Sequence, residues 1–319
     1  MKIALLGDPH ATIADKEEIG LIVDYLISLK KQGKVDQLCI LGDLFHNHAL
    51  MRIEVWYFWE EQYKKLQAAF GDGGVDTISG NHDIPGNKES QHLSSLGTLA
   101  KQFPNLNFVY EKPFKRSGVL YVPYQFDEES FIKICIDNSD CHTVICHQTF
   151  NGAKYDNGMF APDGFDSTKI PQKNVISGHI HTNMEFANVF YPGIARWTSA
   201  TDANQQKGIW TIEFNGENYT KDFYSTENVV TPMKTIDITE GDELVGLSDD
   251  AKWLVHLIGS STWVTKTKKK FVGKKIKTTY TDTAKRRSDR KKIDNFDDFL
   301  KEFESSVEKR DILELLGKL

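Results

Sequence analysis

Short apolar runs alternate with longer amphipathic stretches along the first part of the chain. The apolar runs end at glycine or at polar residues, as in "KIALLGD", "QLCILGD", "VDTISGN", "TVICHQ" and "NVISGH". Residues 15–32 have apolar positions at helical spacing, begin with Asp15 as a cap and stop at Gly33, so they predict a helix. Residues 50–69 and 127–138 predict two further helices. Strands separated by helices indicate a layered α/β architecture.

The pattern changes after about residue 185, where "EFANVFYPG", "KGIWTIEF" and "NYTKDFY" predict successive strands without intervening helices. Late antiparallel strands added to a βαβ core fit a four-layer αββα sandwich. We expect this sandwich over residues 1–225 and a small C-terminal α+β capping region over 226–292. A helical tail is expected over 293–319.

Composition and charge narrow the class of protein. The chain has 319 residues, 39% hydrophobic and 26% charged, which is ordinary for a globular protein of one large domain or a large and a small one. Its net charge of −6 does not by itself indicate a nucleic-acid partner. No apolar run reaches the length of a membrane span, and the first one is too short for a signal peptide. We therefore expect a cytoplasmic protein without a membrane partner.

The four cysteines are more simply explained as reduced thiols of an intracellular protein than as disulfides. The stretch "CHTVICH" could be taken for a zinc knuckle, but no second pair of ligands follows at the usual spacing.

Polar residues that can bind metals follow the end of each apolar run, in "GDPH", "GDLFH", "GNHD", "CHQ" and "GHIH". Because the carboxyl ends of strands in α/β sheets meet at one edge, we expect these side chains to share a cleft. They are Asp8, His10, Asp43, His46, Asn81, His82, His147, His179 and His181. A single histidine is more often structural, but histidines at successive strand ends indicate a site. The glycines that precede them are expected to allow sharp turns. These glycines are Gly7, Gly42, Gly80 and Gly178.

The residue types indicate a metal centre. Imidazole, carboxylate and amide oxygen together suit manganese, iron or zinc, and no thiolate is involved. The ligands suffice for two ions, and a carboxylate such as Asp43 can bridge ions about 3.5–4 Å apart. That spacing suits displacement at phosphorus.

The series of motifs between residues 8 and 181 resembles the calcineurin-like metallophosphoesterase superfamily in content and order. The resemblance implies a first metal held by Asp8, His10, Asp43 and His181. It implies a second metal held by Asp43, Asn81, His147 and His179. It further implies that His82 contacts the phosphate and stabilises the transition state or protonates the leaving oxygen, with Asp83 holding the ring of His82.

Within the superfamily, the chain is similar to SbcD-type DNA nucleases in a compact, phage-like form. His46 follows the bridging aspartate by three residues, where protein phosphatases continue Asp-Arg-Gly. In SbcD-type nucleases this histidine positions the phosphodiester; a surface histidine is the alternative. The stretch "YPGIARWTSA" is similar to a Tyr-Pro-Gly-Ser…Arg motif, with Ile194 in place of the serine. Arg196 is predicted either to contact a phosphate or to form a salt bridge.

Residues 266–292 contain thirteen Lys or Arg and two Asp, a local charge of +11 on a chain of net charge −6. Such a segment can bind phosphates, and a solvated surface run without a ligand is the alternative. The candidate contacts to substrate are Lys268, Lys269, Lys270, Lys274 and Lys275.

Two stretches indicate protein partners. Residues 293–319 have apolar positions at helical spacing, and the resemblance implies docking on an SbcC-like coiled-coil ATPase; packing on the chain's own domain is the alternative. The aromatic run from Trp56 to Trp59 covers too much of a helix for one buried face. A homodimer contact, as the resemblance implies, would cover part of it; burial within the chain alone is the alternative.

We therefore expect a two-metal DNA nuclease subunit, most simply manganese-dependent, with magnesium, iron or zinc as other metals. The resemblance implies 3′–5′ double-strand exonuclease and single-strand endonuclease activity with an SbcC-like ATPase in DNA recombination, repair or replication. The alternative is a phosphodiesterase or phosphatase for small, including cyclic, nucleotides, which would need neither basic segment nor tail. A non-catalytic scaffold is disfavoured because all the ligands are present.

Overall fold

The computed structural model describes residues 1–48, 50–90, 92–155, 158–161, 163–244 and 246–282. It divides into two compact units. The first comprises Met1–Lys234 and Ser248–Lys252, and the second comprises Thr235–Leu247 and the chain from Trp253 onward. The predicted helical tail and the last part of the basic segment lie outside the described residues. Among the described residues, no helix has both the length and the apolar character needed to cross a membrane.

The described residues of the first unit form twelve strands in two sheets. In chain order they are β1 (Lys2–Leu6), β2 (Gln37–Ile40), β3 (Val75–Ile78), β4 (Asn107–Val109), β5 (Phe114–Arg116), β6 (Val119–Tyr121), β7 (Thr143–Cys146), β8 (Asn174–Ser177), β9 (Met184–Phe186), β10 (Val189–Tyr191), β11 (Gly208–Asn215) and β12 (Asn218–Ser225). One sheet has the order β12-β11-β1-β2-β3-β4, and the other has β5-β6-β7-β8-β10-β9.

Strand directions follow the change of pattern along the sequence. Strands β1 to β4 are parallel neighbours, and so are β6, β7, β8 and β10. Strand β11 pairs antiparallel with β1 and β12, and β9 pairs antiparallel with β10. The expected late antiparallel strands are therefore present at the sheet edges.

Four α-helices in the described part of the first unit flank the sheets: α1 (Lys16–Lys31), α2 (Ile53–Phe70), α3 (Leu96–Gln102) and α4 (Glu128–Asp137). Three correspond to predicted helices, and α3 is additional. Asp127 caps α4 by accepting a hydrogen bond from Ser130 N at 2.8 Å. Asp15 does not cap α1 through its side chain, which instead accepts hydrogen bonds from Thr12 Oγ1 and Arg196.

Alternation along β1 shows how the layers are built. Ile3 and Leu5 pack against residues of the second sheet, whereas Ala4 and Leu6 pack against α1–α3. Helix α4 covers the other side of the second sheet through Phe131. A strand buried on both faces needs apolar residues at every position, which explains the unbroken apolar runs of the sequence. The result is the expected four-layer αββα sandwich.

In the second unit, the residues that the structure describes form a three-stranded sheet in the order β13-β14-β15 and one helix. Its elements are β13 (Met233–Thr239), β14 (Lys252–Gly259), α5 (Ser261–Lys268) and β15 (Lys275–Tyr280). Val255 and Leu257 of β14 form its core with Val264 of α5 and Phe271. The first part of the basic segment is therefore folded as the end of α5 and as β15, and the first unit continues past the predicted boundary at residue 225 to Lys234.

Candidate metal centre

Five strands deliver their following residues to one place in the first unit. Asp8 and His10 follow β1, Asp43 follows β2, Asn81 follows β3, His147 follows β7, and His179 and His181 follow β8. Ligand atoms of Asp8, His10 and His181 lie within 4.8 Å of one another, as do those of Asp43, His147 and His179. We call these the first group and the second group. A further set of three joins His10, Asp43 and His82.

The backbone at four of these positions lies in the left-handed region. The φ angles are 29° at Asp8, 44° at His10, 52° at Asp43 and 80° at His179. For residues other than glycine this conformation costs on the order of 1–3 kcal/mol and persists only where the surroundings enforce it. At His179 it ends the extended path of β8, so His179 and His181 do not share a direction by strand alternation. They face different groups instead.

In the first group, His10 Nε2 lies 3.2 Å from His181 Nε2 and 3.4 Å from Asp43 Oδ2. Asp8 Oδ2 accepts a hydrogen bond from His179 N at 2.8 Å and lies 3.7 Å from His181 Nε2. Asp8 Oδ1 is buried and accepts no hydrogen bond from the residues that the structure describes. Imidazole nitrogens and carboxylate oxygens thus converge at one point, and one of these oxygens receives no hydrogen bond from the described residues.

In the second group, Asn81 Oδ1 lies 3.1 Å from His147 Nε2 and 2.9 Å from His179 Nδ1. His147 Nε2 is also 3.3 Å from Asp43 Oδ2. The Nδ1 atom of His147 donates a hydrogen bond to the carbonyl of Leu41 at 2.7 Å, which directs Nε2 toward the group. Because Asp43 Oδ2 is close to both His10 and His147, this carboxylate lies between the two groups.

Burial and charge set the protonation of these residues. Burial lowers the pKa values of His10 and His179 to about 3, so both rings are neutral near pH 7. Burial alone would raise the pKa of Asp43, but His147 lowers it. Burial alone would lower the pKa of His147, but Asp43 and Asp8 raise it to about 9. A divalent cation at the second group would therefore displace a proton from His147.

The donor set fits divalent cations. Two pairs of imidazole nitrogens, His10 with His181 and His147 with His179, face each other at 3.2 Å. A shared carboxylate and an amide oxygen complete them, and the buried Asp8 Oδ1 has no donor among the described residues. Mixed nitrogen and oxygen ligands of this kind suit borderline-hard divalent ions.

His82 stands beside both groups. Its backbone N–H donates to Asp43 Oδ1 at 2.9 Å, and its ring lies 4.6 Å from that of His10. Nδ1 of His82 contacts the carbonyl oxygen of His46. Burial lowers the pKa of His82.

The predicted contact between Asp83 and His82 is wrong. The carboxylate of Asp83 accepts hydrogen bonds from Gly80 N at 2.9 Å and Phe45 N at 3.4 Å, so it braces two loops of the site. The carbonyl of His46, not Asp83, contacts the His82 ring, because the turn after β2 brings the backbone to the ring.

Three rings lie at the rim of the site, and only one of them, that of His46, was predicted from the sequence. The exposed ring of His46 lies 5.5 Å from the ring of His10. The ring of His48, which the sequence analysis missed, lies only 3.9 Å from the ring of His82. Tyr124 was also missed and lies 6.3 Å from the ring of His147. The "HNH" repeat after β2 was an available signal for His48, and the end of β6 was one for Tyr124.

Of the two alternatives predicted for Arg196, the structure shows the salt bridge. It is 5% exposed, with Nη1 3.0 Å from Asp15 Oδ1 and Nη2 donating to the carbonyl of Pro9 at 3.2 Å. A guanidinium that is buried and used in this way is not available to a phosphate.

The predicted lysine contacts lie in the second unit, from the last residue of α5 through the connection to the first residue of β15. Lys269, Lys270 and Lys275 are exposed, and Lys268 and Lys274 are half-buried. Their contact with substrate stays a prediction.

Glycines near the site have two different causes. Gly42 has a φ of 104°, which a side chain rarely adopts. Gly178 has no such angle; a Cβ there would lie 2.5 Å from the carbonyl oxygen of Leu41 and 2.8 Å from Nδ1 of His147. The sharp turn predicted at each glycine therefore applies to Gly42, and close packing explains Gly178.

Known proteins resemble the chain over the part that carries this centre. A family model for calcineurin-like phosphoesterases matches residues 1–183. Exonuclease subunit 1 of enterobacteria phage T4 is 30% identical over 229 residues, covering 68% of this chain and 66% of that protein. Putative phosphoesterase 078R of invertebrate iridescent virus 3 is 25% identical over 210 residues, covering 61% of this chain and 57% of that protein.

This chain thus matches less than two thirds of the length of either relative. A solved structure described as a novel archaeal phosphodiesterase aligns with 70% of this chain and 100% of its own, at 10% identity and a TM-score of 0.36. The family match covers more than half of the chain and every residue of both metal groups. The chain belongs to the calcineurin-like phosphoesterase family.

Proposed function

We propose that the protein is a DNA nuclease subunit of the SbcD type that uses two divalent cations. The observation that carries this proposal is the convergence of two ligand groups on Asp43, with His82 beside them. The 30% identity with a phage exonuclease subunit supports a nuclease within the family. The activity on double-strand ends and single strands, and a role in recombination, repair or replication, are part of the proposal.

Each group would hold one cation. Asp8, His10 and His181 would hold the first and Asn81, His147 and His179 the second, with Asp43 shared. Manganese suits this mixture of ligands best, with magnesium, iron and zinc as the other metals to be tested. When bound, the two cations would stabilise charge on the phosphoryl oxygens and lower the pKa of a water molecule.

The chain's own residues divide the remaining work. Because Nδ1 of His82 contacts the His46 carbonyl, Nε2 is the nitrogen left to exchange a proton with the leaving oxygen. The exposed imidazole of His46 at the rim would position the phosphodiester. The hydrogen bond from His82 N to Asp43 Oδ1 fixes the position of His82, the proposed acid, relative to the carboxylate shared by the two groups.

Binding of DNA would use the lysines of the second unit. In the described part of the basic segment, the exposed Lys269 and Lys270 lie in the turn after α5, and the exposed Lys275 begins β15. Fixed cations can neutralise phosphates at lower entropic cost.

Two partners belong to the proposal. The name of the phage relative describes a subunit, which supports a second component; we propose an SbcC-like ATPase that binds residues 293–319. We also propose a homodimer through the outer face of α2, where Ile53 and Tyr57 are more than 60% exposed.

The alternative is a phosphodiesterase or phosphatase for small nucleotides. One observation favours it: the family match ends at residue 183, inside the first unit, and does not reach the basic residues. Such an enzyme would share every ligand and His82.

The test compares two substrates. The full chain would be incubated with end-labelled linear duplex DNA and with an aryl phosphodiester, each with manganese, magnesium or a chelator. His82→Ala removes the proposed acid, and His92→Ala, at an exposed histidine outside both groups, is the matched control. We expect manganese-dependent shortening of DNA that falls by about 100-fold or more in His82→Ala and persists in His92→Ala. Turnover of the small diester with intact DNA would favour the alternative.

A further inference from the structure

Two basic side chains are buried in the segment between β10 and β11. Arg196 is 5% exposed and Lys207 is 2% exposed. Each has a carboxylate partner: Asp15 at 3.0 Å from Arg196 and Asp202 at 2.6 Å from Lys207. Because removing two charges from water costs about as much as their attraction returns, such pairs are weak evidence for stability. Their presence calls for another reason.

Both basic side chains also donate hydrogen bonds to the backbone that carries the first group. Nη2 of Arg196 donates to the carbonyl of Pro9 at 3.2 Å, and Pro9 lies between Asp8 and His10 in the sequence. Nζ of Lys207 donates to the carbonyl of His181 at 3.1 Å. All three members of the first group therefore stand on main chain that is tied to this segment.

The second group is held differently. Nδ1 of His147 is tied to the carbonyl of Leu41, and Asn81 lies between His147 and His179. Within the part of the chain that the structure describes, no lysine or arginine side chain bonds to the backbone of these residues. The hydrogen bonds from Arg196 and Lys207 to the backbone are therefore a feature of the first group and not of the second.

The carboxylate partners are themselves fixed. Asp202 accepts hydrogen bonds from Thr198 N and Ser199 N, each at 2.9 Å. Asp15 accepts one from Thr12 Oγ1. Ile194 of the same segment adds a further bond, from its N to the His181 carbonyl at 3.1 Å. Each cation thus bridges an anchored carboxylate and a carbonyl of the site.

Such support matters to the first group because its backbone is strained, as it is at Asp43 and His179 of the second group. Asp8 and His10 have φ angles of 29° and 44°, which are held only when neighbouring contacts enforce them. Contacts behind a ligand commonly set its orientation and the affinity of the site.

We propose that Arg196 and Lys207 are positioning residues that set the affinity of the first group for its cation. This inference rests on the proposed assignment of the two groups to two cations. It does not depend on DNA as the substrate. Arg196 and Lys207 act by holding the backbone in place rather than by their charge, since each charge is balanced by its own carboxylate.

The test removes each pair without leaving an unpaired charge. The variants are Lys207→Met with Asp202→Asn, and Arg196→Met with Asp15→Asn. Arg116→Met with Asp76→Asn is the matched control, because this pair, at 3.3 Å, lies in the same unit and does not touch the backbone of the first group. The full chain would be freed of metal with a chelator and titrated with manganese(II) by calorimetry. Titrations of His10→Ala and Asn81→Ala assign the two binding events to their groups.

We expect each of the two variants to bind manganese about 10–100-fold more weakly at the first group and normally at the second. The control should bind both ions like the wild type. Circular dichroism and thermal unfolding in chelator identify folded variants, and either pair tests the proposal if the other variant does not fold. Wild-type affinity at both groups, or equal weakening of both, would overturn it. So would a wild type that binds no manganese, whereas absent DNA cleavage would count only against the nuclease.

Discussion

Four buried aspartates of the first unit differ in pKa because they have different neighbours. His147 lowers the pKa of Asp43 against the effect of burial. Burial raises the pKa of Asp8 to about 6, and burial together with Asp43 raises that of Asp83 to about 7. Burial also raises the pKa of Asp76, which lies within β3 and away from the metal groups. Of these four aspartates, Asp43 alone has a lowered pKa, and it is the carboxylate shared by the two metal groups.

Asp76 offers a pH test at a single residue. Its folded pKa lies above its unfolded value of about 3.9, so the folded state holds the proton more tightly. Its contribution to stability is complete below that unfolded value and is lost as the pH rises through the folded pKa. We expect the free energy of unfolding of the wild type, relative to Asp76→Asn, to be larger at pH 4 than at pH 8. Urea unfolding at both pH values measures this difference.

Asp140→Asn is the control for that test, since Asp140 is exposed and pairs with Lys115 at the surface. A difference between wild type and Asp76→Asn that does not change with pH would contradict the assignment of the shift to burial.

At the scale of single residues, the sequence predicted which side chains cluster at the site but not all of their hydrogen-bond and ring contacts. Polar residues at strand ends are visible as a pattern, because β topology brings those ends together. The contact of Arg196 with Pro9 joins residues far apart in the chain, and no local pattern encodes it. Asp83 and His48 show the same limit, because their neighbours are set by how two loops fold against each other.

Helix α2 shows how one element serves the site and the surface. Trp59 is fully buried, and its Nε1 donates to the carbonyl of Leu44 at 3.2 Å, next to Asp43. Tyr57, two residues earlier, is 63% exposed. The aromatic run that was too wide for one buried face is therefore divided between core and surface. Helix α3 escaped prediction because seven residues give too little periodicity.

A pair of substitutions separates the two faces of α2. Trp59→Ala should lower the free energy of unfolding by about 3–5 kcal/mol, because it leaves a cavity and an unpaired carbonyl. Tyr57→Ala should change it by less than about 0.5 kcal/mol within one protomer. If the proposed homodimer uses this face, Tyr57→Ala should instead reduce the mass found by light scattering at low protein concentration. A large loss of stability in Tyr57→Ala without a change of mass would contradict this division.

Across the whole molecule, the metal centre and the basic residues belong to different compact units. The first unit holds every proposed ligand, and the second presents lysines on α5 and β15. The sandwich could be predicted because both its strands and its helices leave periodic signals. The three strands of the second unit were expected only as an α+β region, because its short apolar pieces fix no strand order.

Salt dependence tests the lysines of the second unit. We expect the affinity of the full chain for duplex DNA to fall steeply with sodium chloride, because bound lysines release counterions. Lys269→Glu with Lys270→Glu should make the slope of log affinity against log salt shallower by about 2. Lys31→Glu with Lys34→Glu makes the same change of charge at exposed positions of the first unit and should leave the slope unchanged. Fluorescence anisotropy with chelator present measures both, and equal slopes in the two variants would contradict a specific role.

The left-handed backbone lowers the stability of the metal-free fold at residues that the proposed activity requires as ligands. These residues are Asp8, His10, Asp43 and His179. Glycine adopts these angles without strain, so Asp8→Gly or His179→Gly would relax the metal-free fold while removing a ligand. A directed-evolution screen for heat resistance in chelator would therefore favour inactive sequences. With manganese present, binding to the folded state alone would reverse that preference. A more heat-resistant form of this protein should therefore be selected with the metal in the buffer.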